Sequence, residues 1–144
     1  MMKFKMLAAA LAFGLIAHAH AERPNIEPGL WETETNMTTE APFPVPDQSD
    51  TTTDCITQDD LDEADTFLGD MDMGECDVLR EEMRADGANY EMVCVEEGVT
   101  IEMVMDLQFF GDRSEGVITT QAETQMGPMS STVEMTGRRI GDCD

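Results

Sequence analysis

Four cysteines carry the clearest chemistry in this sequence. They are Cys55, Cys76, Cys94 and Cys143, which are widely spaced and form no C-x-x-C pair. Thioredoxin-like redox motifs and zinc knuckles both use close cysteine pairs, so the spacing argues against either of them. An even number of cysteines in an exported chain predicts structural disulfides instead.

The pairing of these cysteines is open in principle, because any two of the four can be joined. We expect a Cys76–Cys94 bond, since the two residues flank a hairpin signal at residues 86–87 and could face each other across two antiparallel strands. The remaining pair, Cys55 and Cys143, would then tie the C-terminus back to the early part of the domain.

Histidine and lysine are missing from the chain after residue 21. Without them a Ser/His/Asp set, a Cys/His pair and the lysine-based variants cannot form. The sequence also has no Gly-rich phosphate loop and no dinucleotide-binding fingerprint. Glycoside hydrolysis needs only two carboxylates, so a carboxylate-dependent hydrolase is the enzyme class left as an alternative. We therefore predict that the protein is not an enzyme and needs no cofactor.

The first 21 residues have the composition of a secretory signal. Lys3 and Lys5 precede an apolar run over residues 6–16, and an A-x-A cleavage site follows at residues 19–21. The run is shorter than the ~20 apolar residues that a transmembrane helix needs, so we expect no stable membrane anchor after cleavage. The mature chain is predicted to be a single acidic, disulfide-stapled β domain over residues 22–144.

Removal of the signal leaves a strongly acidic domain. Six arginines remain against all 31 acidic residues, a formal net charge of about −25. Such a surface repels phosphate backbones, so we exclude nucleic acid as a partner. A solvated, non-adhesive surface explains the acidity, and recruitment of a cationic partner or of divalent cations is the functional alternative.

Apolar alternation predicts that the domain is mainly β. The clearest strand is residues 101–109, where apolar residues occupy five successive odd positions. Further strands are predicted over residues 29–37, 50–56, 76–84, 89–96, 114–125 and 129–140. The fold class that follows is about seven antiparallel strands in a curved sheet or partly open barrel, with one short helix and two disulfides.

The connections carry signals of their own. Thr57 and Asp60 match the pattern of a capping box and predict a helix over residues 58–68. Three prolines spaced by two predict an extended loop over residues 38–49. A Gly-Pro pair at residues 127–128 predicts the turn before the last strand.

Methionine and aspartate are the candidate metal ligands. Met71 and Met73 could present thioether sulfur to Cu(I), a soft ion that prefers such ligands. Asp70 and Asp72 could supply oxygen to Ca²⁺, although their spacing from the next glycine does not fit an EF-hand. Other methionines lie on the apolar side of the clearest strand, where we expect them to fill the core.

The aromatic and basic residues suggest a ligand pocket. Trp31 and Tyr90 are the only tryptophan and tyrosine, and they serve either as core anchors or as walls of a cavity inside a cupped sheet. Arg138 and Arg139 form the only Arg-Arg pair, which suits either a structural salt bridge or an anionic ligand.

Three segments and two further cysteines together resemble a known family. Residues 28–32 (PGLWE) open the mature domain, residues 55–59 (CITQD) begin the helix, and residues 137–143 (GRRIGDC) close the chain, with Cys76 and Cys94 between them. Their order is similar to that of domain of unknown function 3617, a family of exported bacterial proteins, over nearly all of residues 25–143. The resemblance implies the periplasm, or secretion, of a Gram-negative bacterium and supplies no catalytic residue.

These observations predict a non-catalytic binding or interaction module. Its partner is expected to be a periplasmic protein or a small apolar ligand, bound on a cupped sheet or at an exposed strand edge. The alternative is a metal-handling protein that uses methionine for copper or carboxylates for calcium.

Overall fold

In the computed structural model, which describes residues 23–63 and 75–144, the chain forms one antiparallel sheet of seven strands. The strands are β1 Gly29–Glu40, β2 Gln48–Ile56, β3 Cys76–Arg84, β4 Gly87–Glu96, β5 Val99–Phe109, β6 Arg113–Thr124 and β7 Gly127–Gly141, and the one described helix is α1 Gln58–Asp62. The strand order is β2-β1-β7-β6-β5-β4-β3. The sheet is not closed, because β2 and β3 are its two edges. The prediction of a mainly β fold with seven strands, one short helix and two disulfides is confirmed.

The strand order follows from two kinds of connection. Strands β3 to β7 are sequential neighbours, as tight hairpins require. The last strand, β7, then returns to pair antiparallel with β1, from Leu30↔Gly141 to Glu40↔Ser130. This long-range pairing places the early hairpin of β1 and β2 at one end of the sheet.

Alternation along the strands gives the sheet two unlike faces, because successive side chains of a strand point to opposite sides. The register places one row of apolar residues side by side, from Met37 through Val133, Ile118 and Met105 to Tyr90. We call this side the apolar face. Its members are Trp31, Met37, Met83, Ala88, Tyr90, Met92, Ile101, Met103, Met105, Leu107, Phe109, Ile118, Ala122, Met129, Val133 and Met135.

The core lies at the β4 end of the apolar face. Its buried cluster consists of Ala88, Tyr90, Met92 and Phe109. Half-buried side chains pack around this cluster, namely Ile26, Met83, Cys94, Met103, Met105 and Leu107. Between this cluster and the buried Trp31 of β1, the apolar residues of β6 and β7 on this face are only half-buried.

Two predicted turns were displaced, and packing explains both. The turn at residues 86–87 lies at residues 85–86 instead, and Gly87 begins β4. There a Cβ would stand 2.2 Å from the Leu107 carbonyl oxygen, so glycine permits close strand approach rather than the turn. The turn predicted at Gly127-Pro128 lies at residues 125–126. Pro128 belongs to β7 beyond the last β1 partner, where the strand is an edge and proline is tolerated.

The helix begins at the predicted residue, whereas the proline-rich loop is shorter than the predicted 38–49. The loop spans only residues 41–47, because β1 and β2 extend to either side of the three prolines. The capping box is present: the Thr57 backbone N–H donates to the Asp60 carboxylate over 2.8 Å. This bond, with a second one from the Thr57 hydroxyl, lowers the pKa of Asp60. The helix α1 covers Gln58–Asp62, and residues 64–68 of the prediction lie outside the described residues.

The predicted signal over residues 1–21 also lies outside the described residues. Within residues 23–63 and 75–144, no helix has the length and apolar character needed to cross a membrane.

Candidate functional site

Both predicted disulfides are formed. Cys76 of β3 and Cys94 of β4 are direct cross-strand partners, with their Cα atoms 4.0 Å apart. Cys55 at the end of β2 is bonded to Cys143, which follows β7, across a Cα separation of 5.7 Å. The first bond holds the β3 edge to the sheet, and the second holds the β2 edge. Two disulfides are consistent with an exported protein or an oxidising compartment.

Trp31 is buried on the apolar face and is 3 % exposed. Its indole N–H donates to the Glu27 carbonyl oxygen over 2.9 Å. The indole ring packs over Gly137 of β7, where a Cβ would lie 3.4 Å from the Cε3 atom of the ring. Trp31 therefore anchors the segment before β1, which includes Glu27, to β1 and β7.

Tyr90 is the most deeply buried large side chain among the described residues, at 2 % exposure. It belongs to the core cluster and pairs directly with Met105 of β5. Burial raises the pKa of its phenol, and the negative charge of Glu81 adds to the effect. Because the neutral phenol is favoured, Tyr90 contributes packing rather than charge.

The two candidate arginines make local ion pairs. Arg138 donates to a single Glu32 oxygen, with Nη2 at 2.6 Å and Nε at 2.9 Å. This pair lies on the side of the sheet opposite the apolar face. The Arg139 side chain donates to the Pro28 carbonyl over 2.9 Å and forms an ion pair with Asp142.

The four candidate pocket residues are therefore not brought into one cavity. Trp31 and Tyr90 share the apolar face but lie on β1 and β4, with three strands between them. Arg138 faces the other way and borders a small depression of about 270 Å³ together with Glu32 and Glu34.

The structure brings most of the described methionines together on the apolar face. Seven of the eight methionines among the described residues lie on the apolar face, namely Met37, Met83, Met92, Met103, Met105, Met129 and Met135. The eighth, Met126, is in a turn and 66 % exposed. Within each strand, alternation predicts which side the methionines face. Only the register between five different strands places them side by side. The candidate metal ligands Met71, Met73, Asp70 and Asp72 lie outside the described residues.

One glycine of β6 allows side chains of β5 and β7 to meet across that strand. Gly116 of β6 lies between Leu107 of β5 and Met135 of β7. A Cβ at this position would be 2.6 Å from Leu107 Cδ2 and 3.1 Å from Met135 Cε. The two side chains therefore meet over the glycine, and the apolar surface is continuous across β6.

The opposite side of the sheet is acidic, and we call it the acidic face. It carries Glu32, Glu34, Glu40, Glu102, Asp106, Glu115, Glu123 and Glu134. Two open depressions of about 680 Å³ and 540 Å³ are lined mainly by residues of this face, and carboxylates contribute to both. Among residues 23–63 and 75–144, no three histidine, cysteine or acidic side chains are grouped so that they could hold a metal ion.

Comparison with known proteins identifies a family that this chain matches. A family described as protein of unknown function (DUF3617) matches residues 26–143. The chain belongs to the DUF3617 family. The match confirms the resemblance carried by the opening PGLWE segment, the four cysteines and the closing segment. No curated protein and no solved structure matches this DUF3617 protein significantly.

Proposed function

We propose that this protein is an exported, non-catalytic binding module that holds the apolar part of a small molecule on its apolar face. The observation that carries the proposal is the half-burial of that face. Ile118, Met105 and Val133 are direct neighbours on β6, β5 and β7, and each of them is only half-buried. Among the described residues, no second sheet packs over them. A contiguous row of apolar side chains that is not fully buried is one mark of a ligand or interaction site.

The chemistry around this row favours an amphiphile. In the next row along the strands, Thr120 of β6 lies beside Ser131 of β7, and Thr39 of β1 lies beyond Ser131. Their hydroxyls can donate or accept hydrogen bonds. A ligand with an apolar body and a polar end therefore finds complementary groups in two adjacent rows.

The charge of the domain favours a neutral or cationic polar end. Outside the predicted signal, acidic residues outnumber basic ones by 31 to six. An anionic amphiphile would have to approach against that field, whereas a cationic one would be attracted. We therefore infer that a long-chain amine binds more tightly than the corresponding fatty acid.

The test uses the oxidised protein and N-phenyl-1-naphthylamine, a neutral apolar fluorophore. We expect its emission to rise on binding, and dodecylamine to displace it at lower concentration than dodecanoate. Ile118→Asn should weaken binding of the fluorophore at least about tenfold, because it places an amide in the middle of the apolar row. The matched control is Val117→Asn, the neighbouring position on the acidic face, where the side chain is already 41 % exposed.

The thermal midpoint of each variant shows whether it is folded, and sedimentation shows whether the protein is monomeric. Equal loss of binding in both folded variants would refute the apolar face as the site. A dimer that excludes the fluorophore would show that a second copy covers this face.

Copper handling is the second candidate, and one methionine group favours it. Met92 lies directly opposite Met103, and Met105 follows two residues later on the same face. Directly opposed residues have Cβ atoms about 5 Å apart, which is within the reach of two thioether side chains. Titration with Cu(I) in competition with a chelator tests this candidate. The Met103→Leu variant, which keeps the volume but removes the sulfur, should then bind Cu(I) more weakly.

A further inference from the structure

We propose that the outer edge of β2 binds an extended, lysine- or arginine-bearing segment of another protein as an additional strand. By the outer edge we mean the side of Gln48–Ile56 that does not pair with β1. Two strands, β1 and β7, separate this edge from the Ile118 row of β6, although Asp50 and Asp54 lie on the same side of the sheet as the apolar face. The edge is therefore tested independently of the proposed ligand.

The edge is long, regular and held in place. All nine residues of β2 pair with β1 without a register shift, from Gly29↔Ile56 to Met37↔Gln48. The Cys55–Cys143 disulfide holds one end of the strand. Near the other end, the Ser49 hydroxyl donates to the Asn36 side chain over 2.7 Å. A strand that is already ordered loses little entropy when a partner pairs with it.

The edge is also open. Every residue over 48–55 is exposed, and β1 is the only described strand that pairs with β2. Unpaired N–H and C=O groups along such an edge are a template for another strand. Peptide-binding domains use this template to add an extended segment to a sheet.

Comparison with β3 shows that the openness of β2 is specific. The β3 edge is interrupted by a register shift between Val78 and Arg80. It also carries charged side chains, with Arg80 and Arg84 both paired to Glu82. Bulges and such charges are the devices that block edge pairing. The β2 strand has no register shift, no proline and no basic residue, and its only charged side chains are those of Asp50 and Asp54. These aspartates disfavour a partner strand with acidic residues but not one with basic residues.

The charges beside the edge select the partner. Asp50 and Asp54 lie on the same face of β2, about 13 Å apart at the ordinary rise of a strand. No arginine within residues 23–63 and 75–144 forms an ion pair with either carboxylate. On the other face, Glu34 of β1 lies beside Thr51. A docked strand with cations four residues apart could place one beside each aspartate.

A second copy of this chain is a poorer occupant. Antiparallel pairing of two β2 strands about Thr52 would place Asp50 of each copy opposite Asp54 of the other. Like charges directly opposite one another destabilise a pair of strands. The two domains would also repel each other through their large net negative charges.

The test uses the oxidised protein and the synthetic peptide acetyl-TKTVTKT-amide, whose lysines are four residues apart. We expect it to bind at low salt and to protect amides of residues 48–56 from hydrogen exchange. A peptide with glutamate in place of lysine should bind at least about tenfold more weakly. The same peptide with its backbone nitrogens methylated should not bind, because it cannot donate ladder hydrogen bonds.

Paired variants locate the charge effect. Asp50→Asn with Asp54→Asn should weaken binding of the lysine peptide about fivefold or more. The matched control, Asp77→Asn with Glu96→Gln, removes the same charge from exposed positions near the other edge and should leave binding nearly unchanged. Absence of binding at millimolar peptide, equal binding of the glutamate or methylated peptide, an equal effect of both double variants, or protection outside β2 would each overturn the proposal.

Discussion

The indole ring of Trp31 packs over Gly137, so closely that a Cβ on residue 137 would lie 3.4 Å from its Cε3 atom. The same Cβ would stand 2.4 Å from the Ser114 hydroxyl oxygen. Trp31, Gly137 and Ser114 belong to β1, β7 and β6. This contact therefore joins the first strand of the chain to its last two strands.

A larger side chain at residue 137 should loosen this contact. Gly137→Val is expected to lower the free energy of unfolding by about 1–3 kcal/mol, because the Ser114 hydroxyl must move and the added methyl groups crowd the indole, which a Cβ already contacts at 3.4 Å. Urea unfolding followed by the fluorescence of the only tryptophan measures the change and reports on the displaced ring. Gly141→Ala is the control, since its Cβ would have no described atom within 4 Å. Equal destabilisation by the two variants would show that Trp31 does not depend on the glycine.

Alkaline pH should destabilise the protein through Tyr90. Burial raises the pKa of its phenol above the ordinary 10.0, so above that pH the unfolded chain ionises while the folded chain resists. The stability from the neutral phenol is therefore complete below pH 10.0 and is lost as the pH rises through the pKa of the folded state. Tyrosinate absorbance reports on this residue alone, because it is the only tyrosine.

The Tyr90→Phe variant serves as the control for this titration. It keeps the buried ring but has no phenol to ionise, so its unfolding free energy should fall less between pH 10 and the pH at which the wild type unfolds. An identical pH dependence in the two proteins would assign the alkaline loss to other groups.

The hairpin between β4 and β5 contains one strained residue, and a substitution there should relieve the backbone strain. Its two turn residues, Glu97 and Gly98, have φ angles of 50° and 82°. Left-handed geometry suits glycine and asparagine but costs most other residues energy. Glu97→Asn is therefore expected to raise the free energy of unfolding by about 0.5–1 kcal/mol.

The opposite change at the neighbouring residue checks the cause. Gly98→Ala should lower stability by about 1 kcal/mol through backbone strain. Its Cβ would meet no described atom within 4 Å, so no steric clash contributes. Urea unfolding of both variants measures the two effects, and a Glu97→Asn variant no more stable than the wild type would refute the explanation.

The two disulfides should differ in their contribution to stability. Cys55–Cys143 closes 88 residues of sequence, whereas Cys76–Cys94 closes only 18. In the loop-entropy description the longer closure restricts the unfolded chain more, by about 1.4 kcal/mol. Replacing Cys55 and Cys143 by serine should therefore lower the unfolding free energy more than replacing the other pair.

The reduced wild-type protein is the reference for both disulfide variants, because it lacks both bonds without any substitution. Urea midpoints of the three samples give the comparison. A larger loss from removal of Cys76–Cys94 would indicate that native packing of the β3 edge outweighs loop entropy.

Local patterns in the sequence predicted much of the fold. Apolar residues at alternate positions identified the strand that became β5, since alternation reflects a sheet with unlike faces. The capping box at Thr57 depends on residues three apart and was equally visible. The displacement of the turn at Gly87 could not be predicted in this way. Glycine is required there by the close approach of the Leu107 carbonyl of β5, 20 residues further along the chain.

For the candidate sites, too, the sequence identified individual residues, and the long-range pairing of strands decided their arrangement. The sequence singled out Trp31, Tyr90, Arg138 and Arg139 by their rarity, but the register distributes them over two faces and separate strands. Alternation placed the methionines on one side of each strand, but only the pairing of five strands brought them together on the apolar face.

The sequence alone was sufficient to predict a mainly β domain with two disulfides, because alternation is a local pattern and the four cysteines lie far apart in an even number. The tertiary structure decided which surfaces are available. The pairing of β7 with β1 leaves β2 and β3 as edges, and the register places seven methionines on one side and most carboxylates of β1, β5, β6 and β7 on the other. Such long-range pairing depends on the packing of many side chains at once, which no local pattern encodes.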